Sequence, residues 1–298
     1  MTGVTPVLDI GGTHVTAALV DHATWRTLPG SRYRLDLDAH GTAEHVLGTI
    51  ASALSTLGPL VGQRAAVAIP GPFDYPRGVG DFAGVDKLGA LRGIDVGAAL
   101  IRRLGSPPAS FTFLNDAASF GLGEMRTGAL AGRRRGVALT LGTGIGSAFV
   151  ADGAVLGEGP GVPPDGRVDL LRIDGRPLEQ VVSRRAILAL YRRLSGYDGA
   201  DVAEVAALAR TGDQAALCAL RGPVAALGGA LGPWLARFEA EVVVLGGGIA
   251  GAFDLIEEPL RAALTRTNPA LRSLPVVRSA DQQQSVEVGA AWYARADP

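Results

Sequence analysis

The sequence contains very few residues of the kind that form disulfides or structural metal sites. Cys218 is the only cysteine among 298 residues, so a disulfide within the chain is excluded. All four histidines lie at or before His45. A zinc site of cysteine and histidine ligands therefore cannot be built in the rest of the chain. We expect no zinc site, and the scarcity of cysteine is typical of a reducing, cytoplasmic compartment.

The sequence also lacks an excess of either charge and any long apolar run. Its 28 lysine and arginine residues are balanced by 29 aspartate and glutamate residues. Since binding to nucleic acid requires a basic surface, a nucleic-acid partner is not expected. No segment reaches the roughly 20 uninterrupted apolar residues of a spanning helix, and the N-terminus does not resemble a signal peptide. We therefore expect no membrane partner either.

Glycine, by contrast, is abundant, with 42 residues. Because glycine enters positive φ without a steric penalty, many tight turns and close backbone approaches are expected. The hydrophobic fraction of 47% is sufficient for a well-packed core. The chain length corresponds to about two domains.

The most informative feature is an internal duplication. Residues Val7–Asp21 align without gaps with residues Ala138–Asp152. Each copy has a short apolar run, a turn of glycine and threonine, a second apolar run and a closing aspartate. Short apolar runs bounded by glycine favour strands, so each copy predicts a β-hairpin with a glycine-rich turn. Two copies this far apart in the chain indicate two related domains.

The two predicted turns have the composition of phosphate-binding loops. Successive backbone N–H groups in a glycine-rich turn can point to one side and bind an anion. Only the first turn brings a carboxylate, since Asp9 aligns with Thr140, and a lone carboxylate beside phosphates suits Mg²⁺. One such hairpin is equally well an ordinary tight turn, but the matched pair favours binding of a nucleotide. The candidate phosphate-binding residues are Gly11, Gly12, Thr13, Gly142, Thr143 and Gly144.

Three further segments combine an apolar run with a polar or glycine-rich end. Gly246–Gly248 follows a predicted buried strand and allows either a flat ligand or tight packing against its backbone. Prolines on both sides of Gly71 stiffen a loop that suits a small ligand. Asn115 and Asp116 follow a predicted strand and begin a predicted helix. They are interpreted either as a helix N-cap, or as an amide that orients a substrate ring beside a carboxylate that accepts the proton of a substrate hydroxyl.

Together these motifs resemble those of the ROK family (repressor, open reading frame, kinase) of bacterial sugar kinases and sugar-responsive regulators. The resemblance runs almost from end to end. Each motif is weak alone, and their common order and spacing carry the resemblance. The matching segments are Asp9-Ile-Gly-Gly-Thr13, Pro70-Gly-Pro72 with Gly78, Asn115-Asp116, Leu141-Gly-Thr-Gly-Ile-Gly146, Gly246-Gly-Gly-Ile249 and Val288-Gly-Ala-Ala291.

The resemblance implies an α/β protein of the actin-like ATPase fold, with two ribonuclease-H-like domains and a nucleotide cleft between them. It implies an N-terminal domain of residues 1–116 plus about 283–298 and a C-terminal domain of residues 117–282. The cofactors would be ATP and Mg²⁺, with Asp9 near the metal ion through a water molecule. Asp116 would be the general base for the sugar hydroxyl, and the protein would be a homodimer. The two turns would hold the phosphates, and the adenosine would lie over Gly246, Gly247 and Gly248.

The sequence departs from the family pattern in the segment that binds the sugar. Typical members carry a Glu-x-Gly-His motif, followed by a cysteine cluster that binds zinc. Here Glu158 matches the glutamate, but Gly161 stands at the histidine position and the cysteine cluster is absent. Glu179 matches the glutamate of the Leu-Glu pair that follows the cluster. The predicted sugar ligands are Gly71, Asn115, Asp116, Glu158 and Glu179.

These observations favour an ATP-dependent, glucokinase-like sugar kinase that acts on a hexose or a hexose derivative. The lost histidine and zinc cluster leave open a non-catalytic sensor of sugar or nucleotide with the same fold. A nucleotide-dependent regulator of a partner protein is a weaker alternative. Family repressors carry a DNA-binding domain before the first motif, and only eight residues precede Asp9 here. A DNA-binding repressor is therefore not expected.

Overall fold

The computed structural model describes residues 3–85, 87–198 and 201–296. The strands are β1 (Val4–Ile10), β2 (His14–Asp21), β3 (Arg26–Thr27), β4 (Tyr33–Asp36), β5 (Arg64–Ile69), β6 (Phe73–Asp74), β7 (Val79–Gly80), β8 (Ser110–Asn115), β9 (Arg135–Leu141), β10 (Ile145–Ala151), β11 (Ala154–Leu156), β12 (Arg172–Ile173), β13 (Arg176–Pro177), β14 (Val242–Gly246) and β15 (Val276–Arg278). The α-helices are α1 (Ala43–Ser55), α2 (Val96–Ile101), α3 (Asp116–Thr127), α4 (Glu179–Val182), α5 (Arg184–Ser195), α6 (Val202–Arg210), α7 (Gln214–Phe238), α8 (Phe253–Thr267) and α9 (Gln282–Ala296). Short 3-10 helices cover Gly89–Leu91, Pro164–Gly166, Val168–Leu170, Gly248–Ala252 and Pro269–Ser273.

The chain divides into two compact units, and the first comprises Met1–Thr127 together with Gln283–Pro298. Its main sheet has the strand order β3-β2-β1-β5-β8, with β4 also paired to β2. β1 and β2 form an antiparallel hairpin, whereas β5 runs parallel to both β1 and β8. The carboxyl ends of β1, β5 and β8 therefore lie at the same edge of this sheet.

The second unit, Gly128–Gln282, repeats the same pattern of strands. Its sheet has the order β11-β10-β9-β14-β15, in which β9 and β10 are an antiparallel hairpin and β14 is parallel to β9 and β15. In each unit a hairpin is followed by two parallel strands on the side of its first strand. The predicted hairpins are confirmed, and the internal duplication corresponds to two sheets of related topology.

The core of the second unit explains an apolar helix that would otherwise suggest a membrane segment. Among the described residues, α7 alone is long and apolar enough to cross a bilayer by length and composition, and half of its most apolar window is buried. Its Leu220, Leu227 and Leu231 are fully buried in the hydrophobic core of this unit. α7 is therefore a core helix.

α3 belongs to the first unit because it packs against α9 with backbone contact. A Cβ atom added to Gly123 would overlap the backbone of Ser285, and one added to Gly289 would overlap the carbonyl oxygen of Ser119. The Ser119 hydroxyl also donates a hydrogen bond of 3.0 Å to the Val286 carbonyl oxygen. The division thus falls after Thr127 and not after Asp116, where the sequence prediction placed it, because this close packing keeps the whole of α3 beside α9.

The contact between α3 and α9 gives a prediction about stability. Gly289→Ala is expected to lower the free energy of unfolding by about 3 kcal/mol, because the added methyl group has no space and the backbones must separate. Gly48→Ala is the matched control, since Gly48 lies within α1 of the same unit and no atom lies within 4 Å of an added Cβ. The control is expected to stabilise the helix by roughly 0.5–1 kcal/mol. Urea unfolding of both variants tests the prediction, and equal stability of the two would contradict it.

Candidate active site

Two carboxylate side chains lie at the carboxyl edge of the first sheet. Asp9 is near the end of β1 and pairs with Ala68 of β5. Ile69 of β5 in turn pairs with Asn115, the last residue of β8, and Asp116 follows as the first residue of α3. Asp9 and Asp116 are both partly buried. The parallel arrangement of β1, β5 and β8 thus brings together two site residues that are more than 100 positions apart in the chain.

Both carboxyl groups are less acidic than usual. Burial is the main cause that raises the pKa of Asp9 to about 7, and the negative charges of Asp116 and Glu287 add to it. A hydrogen bond of 2.9 Å from the Gln283 amide to Asp9 Oδ2 acts in the opposite direction. Burial also raises the pKa of Asp116. The hydrogen bond of 2.9 Å that Asp116 Oδ1 accepts from the Ala117 N–H group lowers this pKa and offsets part of the rise. Since burial penalises both ionised carboxylates, a bound cation would stabilise them, and this donor set fits a Mg²⁺ ion.

Asn115 is held by contacts on both ends of its amide. Its Oδ1 atom accepts hydrogen bonds from the N–H groups of Ala117 at 3.0 Å and Ala118 at 3.1 Å, so the N-cap interpretation is confirmed. Its Nδ2 atom donates to the Tyr75 hydroxyl at 3.1 Å. That hydroxyl would lie 3.2 Å from a Cβ atom added to Gly71. Tyr75 therefore joins two predicted sugar ligands, and sequence analysis missed it because a single tyrosine in a loop follows no pattern.

The first glycine turn is covered by a lysine side chain. The Gly11 N–H group closes the turn on the His14 carbonyl oxygen at 2.9 Å, and Thr13 is exposed. A Cβ atom added to Gly12 would lie 2.7 Å from Cδ and 3.1 Å from Nζ of Lys87. Sequence analysis missed Lys87, although one signal was available. It is the only lysine in the chain, since every other residue of the 28 lysines and arginines is an arginine.

The second glycine turn is in contact with Glu179. The Gly142 N–H group donates to the Gly144 carbonyl oxygen at 2.9 Å, and Thr143 is exposed. Oε2 of Glu179 accepts a hydrogen bond of 3.2 Å from the Ile145 N–H group. The same oxygen lies so close to Gly144 that a Cβ atom there would overlap it. A predicted sugar ligand therefore lies directly on a predicted phosphate turn.

The three glycines after β14 have different surroundings. Gly246 is buried at the end of the strand. Gly247 has a φ of 89°, and a Cβ atom on it would overlap the backbone of Leu141. Its N–H group also donates to the Gln282 side chain. Gly248, however, is exposed, with no atom within 4 Å of an added Cβ. Tight packing thus accounts for Gly247, and Gly248 leaves room for a ligand.

The segment between β11 and α4 is held by hydrogen bonds and apolar packing. The Ser147 hydroxyl donates to the Gly166 carbonyl oxygen at 2.6 Å and accepts from the Val168 N–H group at 3.1 Å. Val168 and Leu178 are fully buried in the core of the second unit. Glu158, the other predicted sugar ligand of this unit, is exposed near the start of this segment.

Gly161, at the position where the family pattern has a histidine, is closely surrounded by backbone. It is buried with a φ of 77°, and a Cβ atom on it would overlap the backbone of Phe238 at the end of α7. Both the conformation and the space therefore exclude a side chain at this position.

This contact predicts that the family histidine cannot be restored by one substitution. Gly161→His is expected to destabilise the protein by about 3 kcal/mol or more, since the imidazole has no space and the backbone is left-handed. Gly159→His is the matched control, because no atom lies within 4 Å of a Cβ atom there, although its φ is also positive, at 128°. Thermal unfolding of the two variants measures the difference. A Gly161→His protein as stable as the control would show that residue 161 does not pack against the backbone of Phe238.

The raised pKa of Asp9 predicts a pH-dependent stability. Its folded-state pKa of about 7 lies above the ordinary value of 3.8, so the stability that it contributes is lost as the pH rises between these values. Asp9→Asn removes the buried charge and is expected to be more stable than wild type at pH 8. The gain should shrink by about 3 kcal/mol at pH 5. Urea unfolding at both pH values, with the exposed Asp81→Asn as control, tests this, and a gain that does not change with pH would contradict it.

Known proteins to which this chain is similar in sequence and in structure include sugar kinases. The sequence is 30% identical over 280 residues to a glucokinase of Thermotoga maritima, covering 85% of this chain and 84% of that protein. The structure is similar to a ROK family glucokinase from Streptomyces griseus in complex with glucose and AMPPNP, with a TM-score of 0.79, 24% identity, and coverage of 99% of this chain and 100% of that chain. It is also similar to an inorganic polyphosphate/ATP-glucomannokinase from Arthrobacter sp. strain KM, with a TM-score of 0.67, 27% identity and full coverage of both chains.

The family assignment covers both units of the chain. The sequence matches the ROK family over residues 5–167 and 173–297. The short interruption at 168–172 falls in the segment between β11 and α4. The predicted actin-like ATPase fold is confirmed by the neighbouring structures, which are sugar kinases of that fold. The chain therefore belongs to the ROK family.

Proposed function

We propose that the protein is an ATP-dependent sugar kinase that transfers the γ-phosphoryl group of ATP to a hydroxyl group of a hexose or hexose derivative. The observation that carries the proposal is the pair of partly buried carboxylates, Asp9 and Asp116, at the carboxyl edge of β1, β5 and β8. Ligands of open α/β sheets bind at this edge. The similarity to glucokinases along most of the chain supports the same function.

Asp116 acts in this proposal as the general base. It accepts the proton of the sugar hydroxyl as the hydroxyl oxygen bonds to the γ-phosphorus, and the bond to the β,γ-bridging oxygen breaks with its electron pair leaving on ADP. The Ala117 N–H group fixes one oxygen of this carboxylate at the start of α3. A base must be ionised, so the raised pKa of Asp116 places the loss of activity at a higher pH than for an ordinary carboxyl group.

Asp9 is proposed to hold Mg²⁺ through a water molecule, and the ion would neutralise charge on the phosphates of ATP. Gln283 orients the Asp9 carboxylate through its 2.9 Å hydrogen bond. The first turn is proposed to bind phosphate through Gly11, Gly12 and Thr13, and the second through Gly142, Thr143 and Gly144. The exposed surface at Gly248 is where the adenosine would lie.

The sugar is proposed to contact Gly71 and Asn115 in the first unit, together with Glu158 and Glu179 in the second. The Tyr75 hydroxyl supports the first two, because it bonds to Asn115 and lies against Gly71. Glu179 also bonds to the second turn, so it would link sugar binding to phosphate binding. A cytoplasmic location stays a prediction from the composition of the sequence, and a homodimer stays a prediction from the family resemblance.

The role of Asp116 is tested by coupled ADP release with Mg-ATP and a panel of hexoses, amino sugars and N-acetyl sugars. Asp116→Asn is expected to lower kcat by roughly 10²–10⁴, the usual contribution of acid–base catalysis. Asp81→Asn, which removes an exposed carboxylate of the same unit, should leave kcat unchanged. Near-normal turnover by Asp116→Asn would show that another group accepts the proton.

A non-catalytic sensor is the second candidate, and the backbone around Gly161 favours it, since this position excludes the family histidine. A sensor predicts that sugar or nucleotide raises the melting temperature with no sugar-dependent ADP release. The same panel therefore separates the two functions, because a kinase releases ADP with at least one sugar.

A further inference from the structure

The single lysine of the chain lies at the candidate active site. Its stem and ammonium group lie over Gly12, where a Cβ atom would be 3.1 Å from Nζ. The positive charge of Lys87 is also close enough to Asp116 to lower the pKa of that carboxyl group. Lys87 thus packs on a predicted phosphate-binding turn, and its charge acts on the proposed general base.

The backbone that follows Lys87 is held in place by hydrogen bonds and by buried leucine side chains. The next residue, Leu88, is fully buried and donates its N–H group to the Ala39 carbonyl oxygen at 2.8 Å. Leu91 is also fully buried, and its N–H group donates to the Leu88 carbonyl oxygen at 2.9 Å. Leu88 has a φ of 58°, a left-handed conformation that costs a leucine roughly 1–2 kcal/mol. Strain of this kind persists where surrounding structure fixes the chain, and it is frequent at functional sites.

The Lys87 ammonium group has no protein partner at hydrogen-bonding distance among the residues that the structure describes. No ion pair within 4.0 Å and no hydrogen bond of its Nζ atom is formed there. The side chain is half-buried all the same. An ammonium group carries three N–H donors, and no described residue accepts from any of them, so this position can bind an anion.

We propose that the Lys87 ammonium group binds the γ-phosphoryl group of ATP and stays on it during transfer to the sugar. The inference rests on the proposed kinase function. As the phosphorus–oxygen bond to ADP breaks and the bond to the sugar oxygen forms, the sugar proton passes to Asp116. Lys87 stays protonated throughout and donates N–H groups to the oxygens of the transferring group, where a fixed positive charge lowers the barrier.

A lysine suits this position better than the arginine used elsewhere in the chain. The ammonium group is a compact point charge on a flexible stem, whereas the guanidinium group is a wide planar fork. The Lys87 stem packs directly on Gly12, because its Cδ atom lies 2.7 Å from the position of an added Cβ.

The uniqueness of Lys87 provides a direct binding test in the intact wild-type protein. An amine-acylating reagent can label only Lys87 and the N-terminal amino group, and peptide mass spectrometry follows both. Mg-AMPPNP at ten times its dissociation constant is expected to slow acylation of Lys87 by roughly tenfold, because about 90% of the sites are then occupied. Mg-ADP, which has no γ-phosphoryl group, should protect much less. The N-terminal amino group serves as the internal control and should be unaffected by either nucleotide.

An unchanged rate of Lys87 acylation would overturn the proposal, provided that thermal stabilisation shows Mg-AMPPNP to be bound. This test does not depend on turnover. If no sugar gives ADP release, the proposed kinase function fails, and the labelling still shows whether Lys87 meets the γ-phosphoryl group.

Substitution of Lys87 tests the effect on transfer. Lys87→Met removes the charge and keeps most of the apolar stem, and it is expected to lower kcat by roughly 10²-fold. Arg92→Met is the matched control, because Arg92 is an exposed cation five positions further along the same loop. The control should retain the wild-type kcat. A Lys87→Met protein with wild-type melting temperature and wild-type kcat would contradict the proposal.

Discussion

Two carboxyl groups share the carboxyl edge of β1, β5 and β8, and burial raises the pKa of both. Burial of an ionised carboxylate without an opposite charge is costly in free energy. The two carboxylates at this edge are therefore stabilised when a cation binds beside them. The side chains beside the two carboxylates are of the kind that stabilises negative charge. Gln283 donates to Asp9, and the lysine charge acts on Asp116. The site is thus arranged around negative charge that a cation would stabilise, and in the proposed reaction Mg-ATP would supply that cation.

The fold and the order of its motifs could be predicted from the sequence because the signals are local. Each hairpin is encoded by two short apolar runs with glycine between them, and the duplicated hairpin marks two sheets of the same strand pattern. Asp9 and Asn115 each end an apolar run, and strands β1 and β8 are both parallel to β5. Their proximity therefore follows from topology that local patterns indicate. The end of the first unit was misplaced by the length of α3, since the close packing at Gly123 and Gly289 joins segments that are 166 positions apart in the chain.

The remaining features depend on contacts between distant residues and leave no local pattern. Tyr75 reaches Asn115 across 40 positions. Glu179 reaches Ile145 across 34 positions, and this contact puts a predicted sugar ligand on a predicted phosphate turn. The family resemblance implies a histidine where the sequence has Gly161, and only the structure shows that the backbone of Phe238 excludes any side chain there. Lys87 is an intermediate case. The sequence shows that it is the one lysine of the chain, but its position over Gly12 is visible only in three dimensions.

The central claim is that the sheet edge bearing Asp9 and Asp116 is where a sugar hydroxyl meets the γ-phosphoryl group of ATP. A crystal structure with Mg-AMPPNP and the best hexose of the substrate panel tests this claim most directly. The account predicts one sugar hydroxyl within about 2.6–3.2 Å of an Asp116 carboxylate oxygen, with the γ-phosphorus on the far side of that hydroxyl and the metal ion beside Asp9. A sugar bound with all its hydroxyl groups distant from Asp116, or a nucleotide whose γ-phosphoryl group lies away from this edge, would contradict it.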